Sequence, residues 1–186
     1  MTNIIIIVAA ALLLIIFIGM YNKLVKLRNN RENAFADIDV QLKQRHDLIP
    51  QLVESVKGYM KHESTVLTEV TNARANALKA NTINDKIAAE AKLSGALQGL
   101  QIAVEAYPDL KANQNFIQLQ EEISDVENKL AAARRFFNSA TKELNNSVQT
   151  FPSNIIAGIF GFKKEMMFDL GAEDREKLDE APEISF

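Results

Sequence analysis

Apolar residues fill positions 4–20 of the chain and then recur at helical spacing along most of the remainder. Residues 4–20 carry no charged or strongly polar side chain. A helix rises about 1.5 Å per residue, so this segment together with Tyr21 crosses most of the roughly 30 Å hydrocarbon core of a bilayer. We therefore predict a transmembrane anchor over residues 1–21.

Two other interpretations of the apolar run fit less well. A secretory signal peptide begins with basic residues and ends at a small-residue cleavage site. Lys and Arg are absent from "MTN", and "GMYNKL" offers no such site. A buried helix with no polar face over this length would need an unusually large core.

Basic side chains flank the apolar run on its C-terminal side alone. They are Lys23, Lys26, Arg28 and Arg31. The positive-inside rule then predicts a single-pass protein of the cell membrane, with its N-terminus outside and its bulk in the cytoplasm.

After the anchor, apolar residues lie three and four positions apart, which is the helical period, and nothing reads as a strand. The clearest seam consists of Phe116, Leu119, Ile123, Val126, Leu130, Ala133, Phe137, Ala140 and Leu144. Its spacing is typical of a coiled coil or a helical bundle. Similar series, separated by turn-like stretches, predict four helices at about 22–46, 48–79, 84–106 and 112–149.

These helices predict an all-α fold, because short connections make successive helices antiparallel neighbours. The expected architecture is the transmembrane helix followed by a four-helix up-and-down bundle with long antiparallel helices over 22–150. Apart from Gly19, no turn signal separates the anchor from the first helix, so the two should join stiffly. Residues 151–186 should form a C-terminal tail, with an apolar patch over 151–162 and an acidic end.

The break between the first two helices has two candidate positions. Asp47 is suited to capping a helix, and Pro50 would then occupy the first turn, where a missing N–H matters least. So short a connection leaves little room for a hairpin, however. A turn near Gly58 is the alternative.

Composition narrows the possible chemistry. The 186 residues include no cysteine, which excludes disulfides, thiolate nucleophiles and Cys-based metal sites. A net charge of −3 argues against a nucleic-acid partner, for which a strongly basic surface is expected. Because no Gly-rich phosphate loop is present either, we predict no cofactor and no enzymatic activity.

Long segments of the chain resemble the signature segments of the LemA family. They are "YNKLVKLRNN", "IDVQLKQRHDLIPQLVESVKGYMKHE", "EAYPDLKANQNFIQLQEEISDVENKLAAARRFFN" and "FPSNIIAGIFGF". The resemblance implies a membrane-anchored four-helix bundle with a role in the cell envelope and no established catalytic residues. Relatives with this domain take part in shaping the magnetosome membrane, and some neighbours are membrane metalloproteases. Phe35 stands where a Trp is common in the family, which preserves an aromatic core position.

The two histidines are the main candidates for chemistry. His46 and Asp47 could form a proton-transfer pair, but adjacent helical residues point about 100° apart, which favours a structural junction. His62 and Glu63 begin like a zinc motif, yet the second His four residues on is missing. We therefore predict no catalytic or metal site.

Three charged residues fall on otherwise apolar seams and suggest a polar core that fixes helix register. They are Arg31, Arg45 and Glu63. A carboxylate and a guanidinium facing one core could pair bidentately, so we predict that Glu63 pairs with Arg45 or with Arg31.

Two segments could form contact surfaces. "YPDLKANQNF" should be an ordered turn, in which Pro108 ends one helix and Asn113 or its neighbour caps the next. Tyr107, Lys111 and Asn115 in it could contact another subunit. The apolar patch contains Ile155, Ile156, Ile159, Phe160 and Phe162. It could fold back over the end of the bundle, or serve self-association or the membrane interface.

The sequence favours a non-enzymatic, membrane-anchored protein that self-associates as a homo-oligomer and scaffolds or remodels the envelope membrane. The alternative is an adaptor or sensor that binds an envelope protease or a signalling partner.

Overall fold

The computed structural model describes residues 1–60 and 63–168, and all regular structure among them is helical. Six helices lie in these ranges: α1 (Thr2–Lys57), α2 (Ser64–Lys79), α3 (Ile83–Val104), α4 (Pro108–Lys111), α5 (Gln114–Gln149) and α6 (Ser153–Ile159). The prediction of an all-α protein is confirmed. The predicted acidic end, from residue 169 onward, and His62 lie outside the described residues.

The anchor and the first predicted helix form one continuous helix, α1, as expected. The predicted break at Asp47–Pro50 is wrong, because α1 continues through Pro50 to Lys57. The chain leaves the helix at Gly58, where the Tyr59 and Met60 N–H groups donate to the Val56 carbonyl at 3.0 and 2.9 Å. The alternative turn near Gly58 is thus the correct one, and the two predicted helices 22–46 and 48–79 become α1 and the shorter α2.

The chain divides into two compact units. The first unit contains Met1–Asp39 and Ala131–Met167, and the second contains Val40–Leu130 and, among the described residues, Phe168. The long helices α1 and α5 each contribute residues to both.

The second unit encloses an apolar core to which α1, α2, α3, α4 and α5 contribute. Its buried members are Ile49, Leu52, Val56, Met60, Leu67, Val70, Ala77, Leu93, Leu100, Val104, Leu110, Phe116 and Leu119. Helices α1, α2, α3 and α5 present these residues three, four or seven positions apart, so the helical period seen in the sequence is the core-facing stripe.

The first unit is built around aromatic and aliphatic contacts between α1, α5 and α6. The Phe35 and Phe137 rings meet edge-on at 5.4 Å between centroids, and both side chains are buried. Leu24 of α1 is buried against Ile156 and Ala157 of α6. Phe35 therefore holds the aromatic core position that the sequence indicated.

Local sequence explains where three helices begin or end. The Thr82 hydroxyl accepts from the Asp85 N–H at 3.1 Å at the start of α3. The Asn113 side-chain oxygen accepts from the Asn115 and Phe116 N–H groups and caps α5, as predicted. After α6, Gly161 takes a φ of +73°, and the Phe162 N–H donates back to the Ala157 carbonyl at 2.9 Å. This is the Schellman ending, which favours glycine because a Cβ would be strained at that φ.

Candidate functional site

Arg45 lies at the centre of a polar cluster within the second unit, and its side chain is fully buried. One guanidinium nitrogen, Nη2, donates to Oε2 of Glu90. The other, Nη1, donates to Oε1 of Glu127 at 2.7 Å and to the Ser94 hydroxyl at 3.2 Å. One side chain of α1 is thereby bonded to residues of both α3 and α5.

His46 joins the same cluster through Glu90. Its Nε2 lies 2.7 Å from Oε1 of Glu90, and both side chains are buried. A carboxylate accepts hydrogen bonds, so Nε2 carries the proton in this contact. Glu90 therefore bridges two successive residues of α1, one through each of its oxygens.

His46 bonds Glu90, and the predicted role of Asp47 as a helix cap is wrong because α1 continues through it. Asp47 is an exposed residue in mid-helix rather than a helix cap. Glu90 was missed by the sequence reasoning. It lies three residues after Ile87 and three before Leu93, so a charge on the buried stripe of α3 was the available signal.

The predicted pairing of Glu63 with Arg45 or Arg31 is not the arrangement found. Glu63 accepts instead from the Tyr107 hydroxyl at 2.5 Å. The physical reason is the position of the turn, because α1 runs twelve residues beyond Arg45, about 18 Å, before the chain reverses. Glu63 follows that turn, beyond the end of α1, and so lies too far from Arg45 to pair with it.

Arg31 is buried in the first unit and interacts with the segment after α6. Its Nη2 lies 3.4 Å from Glu165 and donates to the Met166 carbonyl at 3.3 Å, while its guanidinium stacks 4.9 Å from the Phe137 ring. Burial lowers the pKa of Arg31, and the charges of Glu165 and Glu32 oppose that effect. Asn145 holds the same segment, because its side-chain amide bonds both the N–H and the carbonyl of Glu165.

Pro50 explains why a further arginine, Arg74, bonds the backbone of His46 in this cluster. A proline has no N–H, so inside a helix the carbonyl four residues earlier loses its acceptor role in the helical ladder. Here that carbonyl belongs to His46, and Nε of Arg74 on α2 donates to it at 2.7 Å. Arg74 thus satisfies the carbonyl that Pro50 leaves open, which allows α1 to continue where the sequence suggested a break.

We expect Arg74→Ala to lower the free energy of unfolding by about 1 to 3 kcal/mol, since it leaves the His46 carbonyl without its donor. Pro50→Ala restores a backbone donor for the same carbonyl. The double variant Pro50→Ala/Arg74→Ala should therefore lose less than Arg74→Ala alone, as measured by urea unfolding in mild detergent. Strictly additive effects would contradict the shared role of the two residues.

The chemical character of the Arg45 cluster is that of a clamp. The Arg45 guanidinium is held between the buried carboxylate of Glu90 and the partly exposed carboxylate of Glu127. A buried ion pair such as Arg45 with Glu90 can fix the register of helices more than it adds stability. Among residues 1–60 and 63–168, no group of three or more His, Asp or Glu side chains could hold a metal ion.

The turn around Tyr107 is hydrogen-bonded to residues that lie between α1 and α2. Tyr107 donates to Glu63, and the Asn113 amide donates to the Tyr59 hydroxyl at 3.1 Å. Tyr107 is half-buried, whereas Lys111 and Asn115 are exposed. The hydrogen bond to the Glu63 carboxylate raises the pKa of the Tyr107 hydroxyl.

Because the pKa of Tyr107 is raised in the folded protein, its contribution to stability is present below the ordinary tyrosine pKa and is lost as the pH rises through the folded value. We expect Glu63→Gln to move the Tyr107 titration midpoint downward, as followed by NMR of labelled tyrosine. Glu69→Gln, which changes an exposed carboxylate within α2, serves as the control and should leave the midpoint in place. An unchanged midpoint in Glu63→Gln would remove the carboxylate as the cause.

The apolar patch divides into two faces. Ile156 is buried, and the half-buried Phe162 packs with it, as the fold-back interpretation expects. Ile155, Ile159 and Phe160 are exposed, by 55%, 64% and 48%. Phe160 nevertheless contacts α1, with its ring 4.6 Å from that of Tyr21 and 6.0 Å from that of Phe17.

Among the described residues, α1 is the one helix long and apolar enough to cross a membrane, by length and composition. None of its most apolar window is buried inside the protein. The described residues therefore define a helical protein with one candidate membrane span at its N-terminus.

The chain belongs to the LemA family, whose family model matches residues 34–186. It is 26% identical over 167 residues to Protein LemA of Metamycoplasma hominis, covering 88% of this chain and 75% of that protein. It is 21% identical over 174 residues to Magnetosome protein MamQ of Magnetospirillum gryphiswaldense, and 20% identical to Magnetosome protein MamQ 2 of Paramagnetospirillum magneticum. The match covers 80% of this chain and 64% of each MamQ protein, so the chain spans less than two thirds of their length. The predicted family is thus confirmed.

Proposed function

We propose that this protein is a non-enzymatic, single-pass membrane protein whose helices form a four-helix up-and-down bundle that self-associates and scaffolds the envelope membrane. The observation that carries the proposal is the continuity of α1. Its first part is exposed and apolar, and the same helix then supplies buried core residues such as Leu24 and Phe35.

This continuity supports a mechanical role. A helix without a break transmits tilt along its length, whereas a flexible linker would let the membrane span and the folded core move independently. Copies that pack side by side through their folded parts would therefore impose a common tilt on their anchors. Many anchors with a fixed tilt can organise or curve a bilayer.

The proposed orientation has the N-terminus outside and the folded core in the cytoplasm. Lys23, Lys26 and Arg28 are exposed directly after the apolar run, and residues 1–3 before it carry no basic side chain. Such an excess of basic residues favours retention on the cytoplasmic side. Because the chain lacks cysteine, Thr2→Cys gives a single thiol, and labelling it in intact cells with an impermeant reagent tests this orientation. Labelling only after the membrane is opened would reverse it.

A non-enzymatic role fits the use made of the polar residues. Arg45, His46 and Glu90 are enclosed in the interior and bonded to one another. Similarity to proteins named as magnetosome proteins supports a role in organising a membrane.

Electron microscopy of the full-length protein in vesicles tests the proposal. We expect assemblies of many copies on the membrane, together with a change in vesicle shape as the density of protein rises. Dispersed single copies at every density would overturn self-association. Purification with one stoichiometric partner would instead support the second role, an adaptor for an envelope protease or signalling protein, for which the exposed Lys111 and Asn115 are candidate contacts.

A matched pair of variants isolates the continuity of α1. Asn29 and Asn30 are both exposed and follow the apolar run. Replacing both with Gly loosens the helix at that point, whereas replacing both with Ala strengthens it without adding a contact. The Gly pair should reduce the order of the assemblies and the Ala pair should preserve it.

A further inference from the structure

We propose that α6 and the following Phe160 lie in the membrane interface beside the anchor and form a second contact of this protein with lipid. The inference rests on the proposed membrane insertion of α1. All the contacts that carry it lie within the first unit, between α1 and the segment 153–164.

The depth of Phe160 follows from its contacts with α1. Its ring lies 6.0 Å from the ring of Phe17, which belongs to the apolar run. Phe17 precedes the last residue of that run, Met20, by three positions, or about 4.5 Å along the helix. If residues 4–20 cross the hydrocarbon core, Phe160 lies at the edge of that core. Its other neighbour, Tyr21, is at 4.6 Å and has the aromatic character common at the membrane interface.

The faces of α6 also indicate an apolar environment on both sides. One face, with Ile156 and Ala157, is buried against Leu24. The opposite face exposes Ile155 and Ile159. A short helix on a protein surface in water normally presents polar residues on its outer side. Lipid would cover this outer face in continuity with the exposed apolar surface of the anchor.

Basic residues follow the apolar segments of both α1 and α6 along the chain. Lys163 and Lys164 are exposed directly after Phe162, and the Arg28 guanidinium stacks 5.3 Å from the Phe162 ring. Lys23 and Lys26 of α1 are exposed as well. Of the two acidic residues whose charges act on Arg31, Glu165 is paired with that buried guanidinium and Glu32 is exposed on α1. Apolar side chains bordered by Lys and Arg are the pattern of a segment that lies in the headgroup region of anionic lipids.

The absence of tryptophan in the chain makes the proposal directly testable. Ile159→Trp places a single indole on the exposed face of α6. The full-length protein is reconstituted in vesicles of phosphatidylglycerol and phosphatidylcholine, in which a fraction of the phosphatidylcholine is brominated near the glycerol end of its chains. We expect the tryptophan emission of Ile159→Trp to fall as the brominated fraction rises.

Two further single-tryptophan variants serve as references. Ile16→Trp lies in the apolar run and reports insertion of the anchor itself. Phe136→Trp lies on α5, and Phe136 is as exposed as Ile159, at 62% against 64%. Its neighbour Phe137 packs on Phe35, which follows Tyr21 by fourteen positions of α1, or about 21 Å. Emission of Phe136→Trp should therefore be unaffected by bromine.

The three readings separate the possible outcomes. Loss of emission in Ile16→Trp and Ile159→Trp, but not in Phe136→Trp, supports the second membrane contact. Quenching of Ile16→Trp alone overturns it while leaving the anchor intact, including the case in which a second copy of the chain covers α6. If Ile16→Trp is not quenched either, the membrane anchor of the proposed function fails, and this inference fails with it.

Discussion

Glu90→Ala is expected to lower the free energy of unfolding by about 3 to 5 kcal/mol, because it leaves the buried Arg45 guanidinium without its enclosed counter-charge. Glu90 is 1% exposed and Arg45 is fully buried, so water cannot replace the lost carboxylate. His46 loses its hydrogen-bond acceptor in the same substitution. Urea unfolding of the full-length protein in mild detergent, followed by circular dichroism, measures the effect.

Two variants define what the Glu90 result means. Glu127 also bonds Arg45, but its side chain is about a third exposed, so Glu127→Ala should cost much less than Glu90→Ala. Replacing both members of the buried pair, in Arg45→Met/Glu90→Leu, should recover part of the loss, since a buried ion pair exchanged for apolar residues is often near neutral. Equal effects for Glu90→Ala and Glu127→Ala would contradict the enclosed position of Glu90.

The helices and the core could be predicted from the sequence because buried apolar residues recur at the helical period. The predicted α5 seam supplies Phe116, Val126, Phe137 and Leu144, all of which are buried. The anchor and its continuation into α1 were equally visible, as an apolar run with no turn signal after it.

The course of the chain around Pro50 was harder to predict, because its outcome depends on a residue far away in sequence. Proline removes one donor from a helix, and this normally favours a break. In the folded protein Arg74 supplies the missing donor across 28 residues. No local pattern around Asp47 indicates that compensation. Because the turn was predicted too early in the chain, Glu63 was predicted to pair with Arg45 or Arg31 instead of Tyr107.

The polar cluster was found only in part for a related reason. Arg45 was identified because a charge interrupted an apolar seam, and Glu90 interrupts the α3 stripe in the same way. Which carboxylate meets which arginine depends on the helix that lies opposite, and hence on where each turn falls. The Tyr107 hydroxyl, which bonds Glu63, has no sequence signal of this kind, since a tyrosine beside a proline is compatible with many turns.

Phe137→Ala should cost about 3 to 5 kcal/mol of unfolding free energy, the usual range for removal of a buried phenylalanine. The Phe137 ring is fully buried, meets Phe35 edge-on and lies under the guanidinium of Arg31. Its removal leaves a cavity and ends the cation–π contact of a charge that is itself buried. Both losses act on the first unit, from which the anchor extends.

The adjacent Phe136 supplies the control, because it is the same residue type on the same helix but is 62% exposed. Phe136→Ala should change the unfolding free energy by less than about 0.5 kcal/mol, as for other surface positions. Phe137→Leu should retain part of the stability by filling some of the cavity, yet it cannot restore the interaction of the ring with Arg31. The ordering of Phe136→Ala, Phe137→Leu and Phe137→Ala therefore separates the contribution of volume from that of the aromatic ring. Similar unfolding midpoints for Phe136→Ala and Phe137→Ala would show that the aromatic contacts of α1 and α5 are not what holds this unit together.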